Sequence, residues 1–218
     1  MALSFTTTEP IAKEGWWNIG IVLILLLLSY LIDFGFWFMI LVLILTVFLY
    51  RNPERISEED DPLAIVAPND GKIIKIDRVK DDITDGAQSL HVIIRSLPFN
   101  VGMIRFPING TISSAKTIHG LFLPPYKPLS NTLNEKVDIR CQHKEIPFAM
   151  RVRAGMFPRK INLSQIRGNI KSGIRISFMI DGTVELFLPL NSRIKLSVGD
   201  YVKAGESIIG YFAYKEKQ

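Results

Sequence analysis

The sequence is poor in the residue types on which most recognisable chemistry rests. It has one cysteine, Cys141, so no internal disulfide can form, which suits a reducing compartment. Its three histidines, His91, His119 and His143, lie far apart and join no cysteine cluster, so each reads as a surface or packing residue and no metal is expected. There is no G-x-G-x-x-G, no phosphate-binding P-loop, no H-E-x-x-H and no G-x-S-x-G elbow. With 15 Gly and 12 Pro beside 48% hydrophobic residues, the composition excludes disorder and a collagen-like chain. Charge is almost missing from residues 1–50, which hold one Lys (Lys13) and three acids (Glu9, Glu14, Asp33). The remaining 168 residues carry 25 basic and 18 acidic side chains, a net +7, and are enough for one domain with its own core.

Where charge is missing, long apolar runs stand. Trp16–Ile32 and Phe34–Tyr50 are interrupted only by Asp33 beside Gly35. Each run, as a helix, rises about 26 Å, the short end of a bilayer crossing. Neither has a polar face to turn toward water. A signal peptide fits poorly, because the residues ahead of the first run are acidic and no small-residue cleavage site follows. The expectation is a two-helix membrane hairpin over 16–50, spanning or re-entrant, behind a 1–15 tail. Lys13, Arg51 and Arg55 flank its ends while Asp33 sits at its tip, which places both ends on the cytoplasmic side of the inner membrane.

A linker, 51–65, contains the acidic run Glu58-Glu59-Asp60-Asp61 and leads to a domain over 66–218. Short alternating or β-branched stretches there predict strands at Lys72–Val79, Leu90–Arg95, Val101–Phe106, Thr111–Thr117, Phe148–Arg153, Ile174–Ile180, Thr183–Leu190, Arg193–Ser197 and Ser207–Ala213. Asn69-Asp70-Gly71, Asn109-Gly110, Asp181-Gly182 and Val198-Gly199-Asp200 supply turns, and Lys144 reads as a hairpin tip. Helix signals are sparse, with one short turn expected over Phe157–Gln165. The fold class is mainly β, a compact barrel-sandwich-like cytoplasmic domain. Its basic excess lacks interleaved aromatics, so anionic phospholipid headgroups are the expected partner and nucleic acid is not.

Seven segments, in order, resemble one family. Phe48–Arg55 resembles the F-F-R-D-P-x-R that ends the membrane region of short bacterial and archaeal phosphatidylserine decarboxylases. Pro68-Asn69-Asp70-Gly71-Lys72 is similar to their P-A-D-G-K, and Pro98–Gly110 to P-L-D-V-H-V-N-R-A-P-V-S-G. Asn134-Glu135-Lys136 is similar to N-E-R, and Arg153-Ala154-Gly155 with Arg159-Lys160-Ile161 to A-G…R-R-I. Val184–Pro189 resembles V-D-L-Y-L-P, and Val198–Glu206 resembles the closing V-G-x-x-V-x-A-G-E.

The resemblance implies a proenzyme that cuts itself at a Gly-Ser bond and leaves the serine as a pyruvoyl group, an electron sink for decarboxylating phosphatidylserine. It also implies an Asp and a His assisting the serine. Asp70 matches the family acid. The His position is occupied by Gly102, the Asp two before it by Asn100, and the Gly-Ser by Asp181-Gly182. Glycine has no hydroxyl with which to attack, so no cofactor is expected unless the cut lies elsewhere. A shift by one residue offers Gly182-Thr183, and a larger one Ser177. Arg105 reads as a phosphate ligand or a strand cap, and Asn134, Glu135 and Lys136 as substrate-binding residues or a loop without a role. The reading adopted is a membrane-anchored, non-catalytic homologue that binds anionic phospholipid or a partner enzyme of lipid synthesis. The alternatives are an active decarboxylase with an unrecognised cut, and a biotinyl/lipoyl-like adaptor suggested by Val198–Ile209 with Pro68–Lys72, which lacks the lysine turn of such modules.

Overall fold

The computed structural model describes residues 9–57, 61–157, 161 and 168–213. Most of the expected turn over Phe157–Gln165, and Glu58–Asp60 of the acidic run, lie outside the described residues. The chain forms two compact units, one of Thr6–Glu54 and one beginning at Arg55.

In the first unit, α1 (Trp16–Leu31) and α2 (Phe36–Leu49) are joined by a tight turn in which Asp33 and Gly35 take positive φ (55° and 70°). The ends of the pair are tied by hydrogen bonds from the Ala12 amide to the Tyr50 carbonyl (2.8 Å) and from the Asn52 amide to the Pro10 carbonyl (2.7 Å). One helical stretch, Lys13–Leu31 with 19 residues, is long and apolar enough to cross a membrane. The second, at 14 residues, is shorter.

The second unit is mainly β. Its strands are β1 (Ala64–Val66), β2 (Gly71–Lys80), β3 (Gln88–Ser96), β4 (Met103–Arg105), β5 (Gly110–Ile118), β6 (Lys136–His143), β7 (Ile146–Ala154), β8 (Asn169–Ile170), β9 (Arg175–Phe178), β10 (Gly182–Leu188), β11 (Arg193–Ile194), β12 (Tyr201–Val202) and β13 (Ile208–Tyr211). A short helix, α3 (Ser130–Leu133), lies between β5 and β6. Eight strands form one curled sheet in the order β12-β2-β3-β10-β7-β6-β5-β8, beside the smaller sheets β1-β13-β11 and β4-β9. Lys144, at positive φ (53°), makes the tip between β6 and β7. Strand β6 is not among the expected strands, although Val137, Ile139 and Cys141 alternate inward with Asp138 and Arg140 outward.

Period-two alternation builds the core. Val92 and Ile94 of β3, Val184 and Leu186 of β10, Met150 and Val152 of β7, and Val137 and Ile139 of β6 are each fully buried on one face. Burying such side chains is what holds the sheet against β1, β4 and β9.

The opposite face of the same strands carries charge. Glu185 of β10 accepts from Arg153 of β7 (Nε 3.0 Å, Nη2 2.7 Å) and meets His91 of β3 at 3.2 Å. His91 reaches Asp77 of β2 with its other ring nitrogen (3.2 Å) and stacks on Phe187 at 4.6 Å. Arg151 donates to Asp138 (2.7 and 3.0 Å) and to Asp81 (2.9 and 3.0 Å). Burial alone pushes the Glu185 carboxyl up, but the hydrogen bond from His91 and the Arg153 guanidinium outweigh it and hold it below its ordinary value of 4.5. Burial likewise opposes ionisation of Asp81, and the bonds from Arg151 and the Ile83 amide bring it below 3.8.

Folded-state values below the unfolded ones give stability that is complete above the ordinary carboxylate range and lost as pH falls through the depressed values. Urea midpoints are therefore expected to hold near neutral pH and to fall below about pH 4. Glu185→Gln should cost roughly 2–3 kcal/mol at neutral pH, by leaving Arg153 without its carboxylate. It should also make the acid loss shallower. Parallel acid curves for the two proteins would show that this carboxylate is not part of the loss.

Candidate functional site

The expected site residues meet at one end of the large sheet, where β2 and β10 begin and β3 and β7 end. Asp70 stands just before β2, and it is 9% exposed. Its carboxylate is held bidentately by Arg55 (Nη2 to Oδ2 2.8 Å) and accepts from the Ala204 amide at 2.8 Å. Its backbone carbonyl accepts from the side chains of Asn69 (3.2 Å) and Asn100 (3.4 Å). Arg105, also buried, lies against Gly205 and donates to the Gly173 carbonyl at 2.9 Å, so the Ala204-Gly205 turn joins it to Asp70. Asp70 and Arg105 are therefore brought together, each already engaged by the protein.

Asn134 and Glu135 sit at the same end in structural contacts. The Asn134 amide group donates to the carbonyls of Leu123 and Ala154 and accepts from the Leu123 amide, all at 2.8 Å. Glu135 takes the Ile161 amide (3.0 Å) and the His119 ring (3.1 Å). Lys136, the first residue of β6, is half-buried, opposite Arg153 and Ile118.

Two glycines decide what this end can do. At Gly102 a Cβ would fall 2.6 Å from the Met179 carbonyl oxygen and 2.9 Å from the Phe178 ring. A hydrogen bond from the Met179 amide to the Gly102 carbonyl (2.8 Å) fixes that approach. At Gly182, φ is 142°, and a Cβ would fall 2.2 Å from the Arg153 carbonyl oxygen. Real Cβ atoms do not come so close, and L side chains disfavour that φ. The preceding Asp181 is buried and occupied: its carboxylate accepts from the amides of Met156 and Phe157, both at 3.0 Å, and its carbonyl from Gly155 at 3.0 Å. A pyruvoyl group derives from a serine at the cut, and Asp181-Gly182 has no hydroxyl to supply it. The residues at this position do not fit that group.

Two hydroxyls lie beside Gly182. Ser96 of β3 pairs with it, and Thr183 follows it, and both side-chain oxygens are buried without a hydrogen-bond partner among the described residues. Ser177 lies on β9, opposite Ile104. The Asp181 clasp and the Arg55 clamp are absent from the sequence expectations. The clamp had a signal in the shared motif around Arg51–Arg55, whereas the clasp depends on a turn 24 residues away that only register brings close.

Comparison with known proteins gives a consistent answer. The family profile described as phosphatidylserine decarboxylase matches residues 42–210, more than half of the chain. A phosphatidylserine decarboxylase proenzyme of Desulfotalea psychrophila is 33% identical over 212 residues, covering 92% of this chain and 96% of the relative. One from Ehrlichia ruminantium is 33% identical over 214 residues, covering 95% and 94%. One from Amoebophilus asiaticus is 29% identical over 175 residues, covering 79% and 77%. No solved structure gives a significant match.

The Arg55–Asp70 pair is nearly enclosed, with side chains 10% and 13% exposed. Asp70→Asn should destabilise the chain by roughly 3 kcal/mol, because a buried guanidinium loses its counter-charge. Combining it with Arg55→Met should recover most of that loss. A double variant as unstable as the sum of its singles would show that the two residues do not act as a pair.

Proposed function

The chain belongs to the phosphatidylserine decarboxylase family, and we propose that within it this protein is a membrane-anchored, non-catalytic homologue that binds anionic phospholipid. The observation that carries this reading is the closure of both reactive positions. Gly102 and Gly182 lack the base and the nucleophile, and the backbone around them leaves no room for either side chain. Retention of the fold without its reaction favours a binding role at the same end, toward phospholipid or a partner enzyme of lipid synthesis.

The anchor in this reading is the pair α1 and α2. Trp17, Phe34 and Trp37 are each 80% exposed, which water penalises and hydrocarbon does not. Lys13 and Arg51 at the open ends favour the cytoplasmic side of the inner membrane for the β unit. A second reading has one observation in its favour: the Thr183 hydroxyl is buried and unpartnered next to Gly182. A cut there would leave a ketobutyryl group and a decarboxylase.

Mass spectrometry of the purified, membrane-extracted protein separates the two. We expect one species near 24.7 kDa, unreactive to borohydride, with anionic phospholipid retained under native conditions. Two fragments meeting between residues 177 and 183, the smaller blocked by a keto-acyl group, would establish the second reading.

The closure also predicts the outcome of restoring the family's residues. The triple variant Gly102→His, Asp181→Gly, Gly182→Ser should remain one chain, and it should melt below the parent. Efficient self-cleavage of that variant would mean that the backbone opens more easily than its contacts imply.

A further inference from the structure

We propose that the loops around the site form a surface that docks on the bilayer and enters its interface. The proposal rests on the phospholipid-binding reading and deepens it by naming the contact surface. Exposed apolar side chains in the β unit are segregated. The loop after β3 presents Phe99 (69% exposed), the connection between β5 and β6 presents Leu121, Tyr126 (72%) and Leu129 (62%), and the turn after β7 presents Met156 and Phe157. Strand register places all three segments at one end. Ser96 pairs with Gly182, Gly182 with Ala154, Arg153 with Lys136, and Lys136 with Ile118. At the opposite end, among the described residues, the only large apolar side chain exposed is Leu190, and Asp82, Asp85, Lys144 and Glu145 stand there instead.

Three observations select a bilayer as the occupant. The first is reach. Six residue steps separate Leu49, the last residue of the apolar α2, from Arg55. They can span no more than about 20 Å, whatever orientation the two units take. Because Arg55 is clamped to Asp70, the connection from α2 enters the β unit at this end of the sheet. The second is charge. Lys127 stands exposed between Tyr126 and Leu129. Glu135, at the end of the β5–β6 connection, and Asp181, in the adjoining turn before β10, are buried and bonded inward. The third is side-chain chemistry, since an exposed Tyr beside a lysine, with an exposed Phe in each neighbouring loop, suits the region where headgroups meet acyl chains.

The test uses the full chain reconstituted in vesicles of phosphatidylcholine and phosphatidylglycerol. Single cysteines for spin labelling are introduced as Leu129→Cys, Met156→Cys and, at the opposite end, Leu190→Cys. The native Cys141 is buried, its thiol pushed up to about 12, and it stays unlabelled at neutral pH. Collision rates with oxygen, which partitions into lipid, and with a water-soluble nickel chelate report depth. Labels at 129 and 156 should show several-fold higher oxygen-to-nickel ratios than the label at 190. Equal ratios at all three sites overturn the docking surface. This outcome is separable from failure of the phospholipid-binding reading: lipid-buried labels on a chain that proves cleaved leave the surface standing alone. Water-exposed labels on an intact, lipid-retaining chain overturn the surface alone.

Discussion

The second unit is organised by the way β10 is held between β3 and β7. Its Val184 and Leu186 complete the core on one face, and Glu185 between them is locked to Arg153 and His91 on the other. A strand fixed on both faces and along both edges cannot slide, because a slip of one residue would exchange its apolar and charged sides. The first residue of that strand is Gly182, and the Arg153 that grips Glu185 also presents its carbonyl to Gly182. Stability of the sheet and the close packing at Gly182 are consequences of the same register.

On the non-catalytic reading proposed above, that register explains how the fold stands without the reaction. With glycine at 102 and at 182, each position packs to contact distance against the neighbouring backbone. Asp181 takes up a structural task, gathering the amides of Met156 and Phe157 so that the turn after β7 is fixed beside the loop after β3. The hydroxyls of Ser96 and Thr183, like Asn69 Oδ1 and Arg95 Nε at the same end, are buried without a partner among the described residues.

Much of this is legible in the sequence wherever one face of a strand is apolar. Val184–Leu188 alternates, its turn pair precedes it, and its position in the motif order fixes which residues stand at the cut. The charged face is not legible, since Asp77, Asp81, His91, Asp138, Arg151, Arg153 and Glu185 lie on different elements and meet through pairing alone. Strand β6 was hidden in a similar way, with an inward row of Val137, Ile139 and Cys141 diluted by charges that serve the outer face. Asn134 and Glu135 show the reverse limit. Their motif is visible, but their hydrogen bonds to Leu123, Ala154 and Ile161 give them a structural task that no spacing announces.

Asp70 carries the most weight for how the family likeness is understood. It matches an acid that assists catalysis in the resemblance, yet in this chain each of its carboxylate oxygens is used, one by Arg55 and the Ala204 amide and the other by Arg55. Those bonds join three distant segments: the residues that follow α2, the start of β2 and the closing turn at Ala204-Gly205. A buried carboxylate so occupied needs no catalytic role to account for its presence, because removing it strands a guanidinium in the interior. Its consequence is mechanical. By clamping Arg55 it shortens the free connection behind α2 and fixes where that connection enters the β unit.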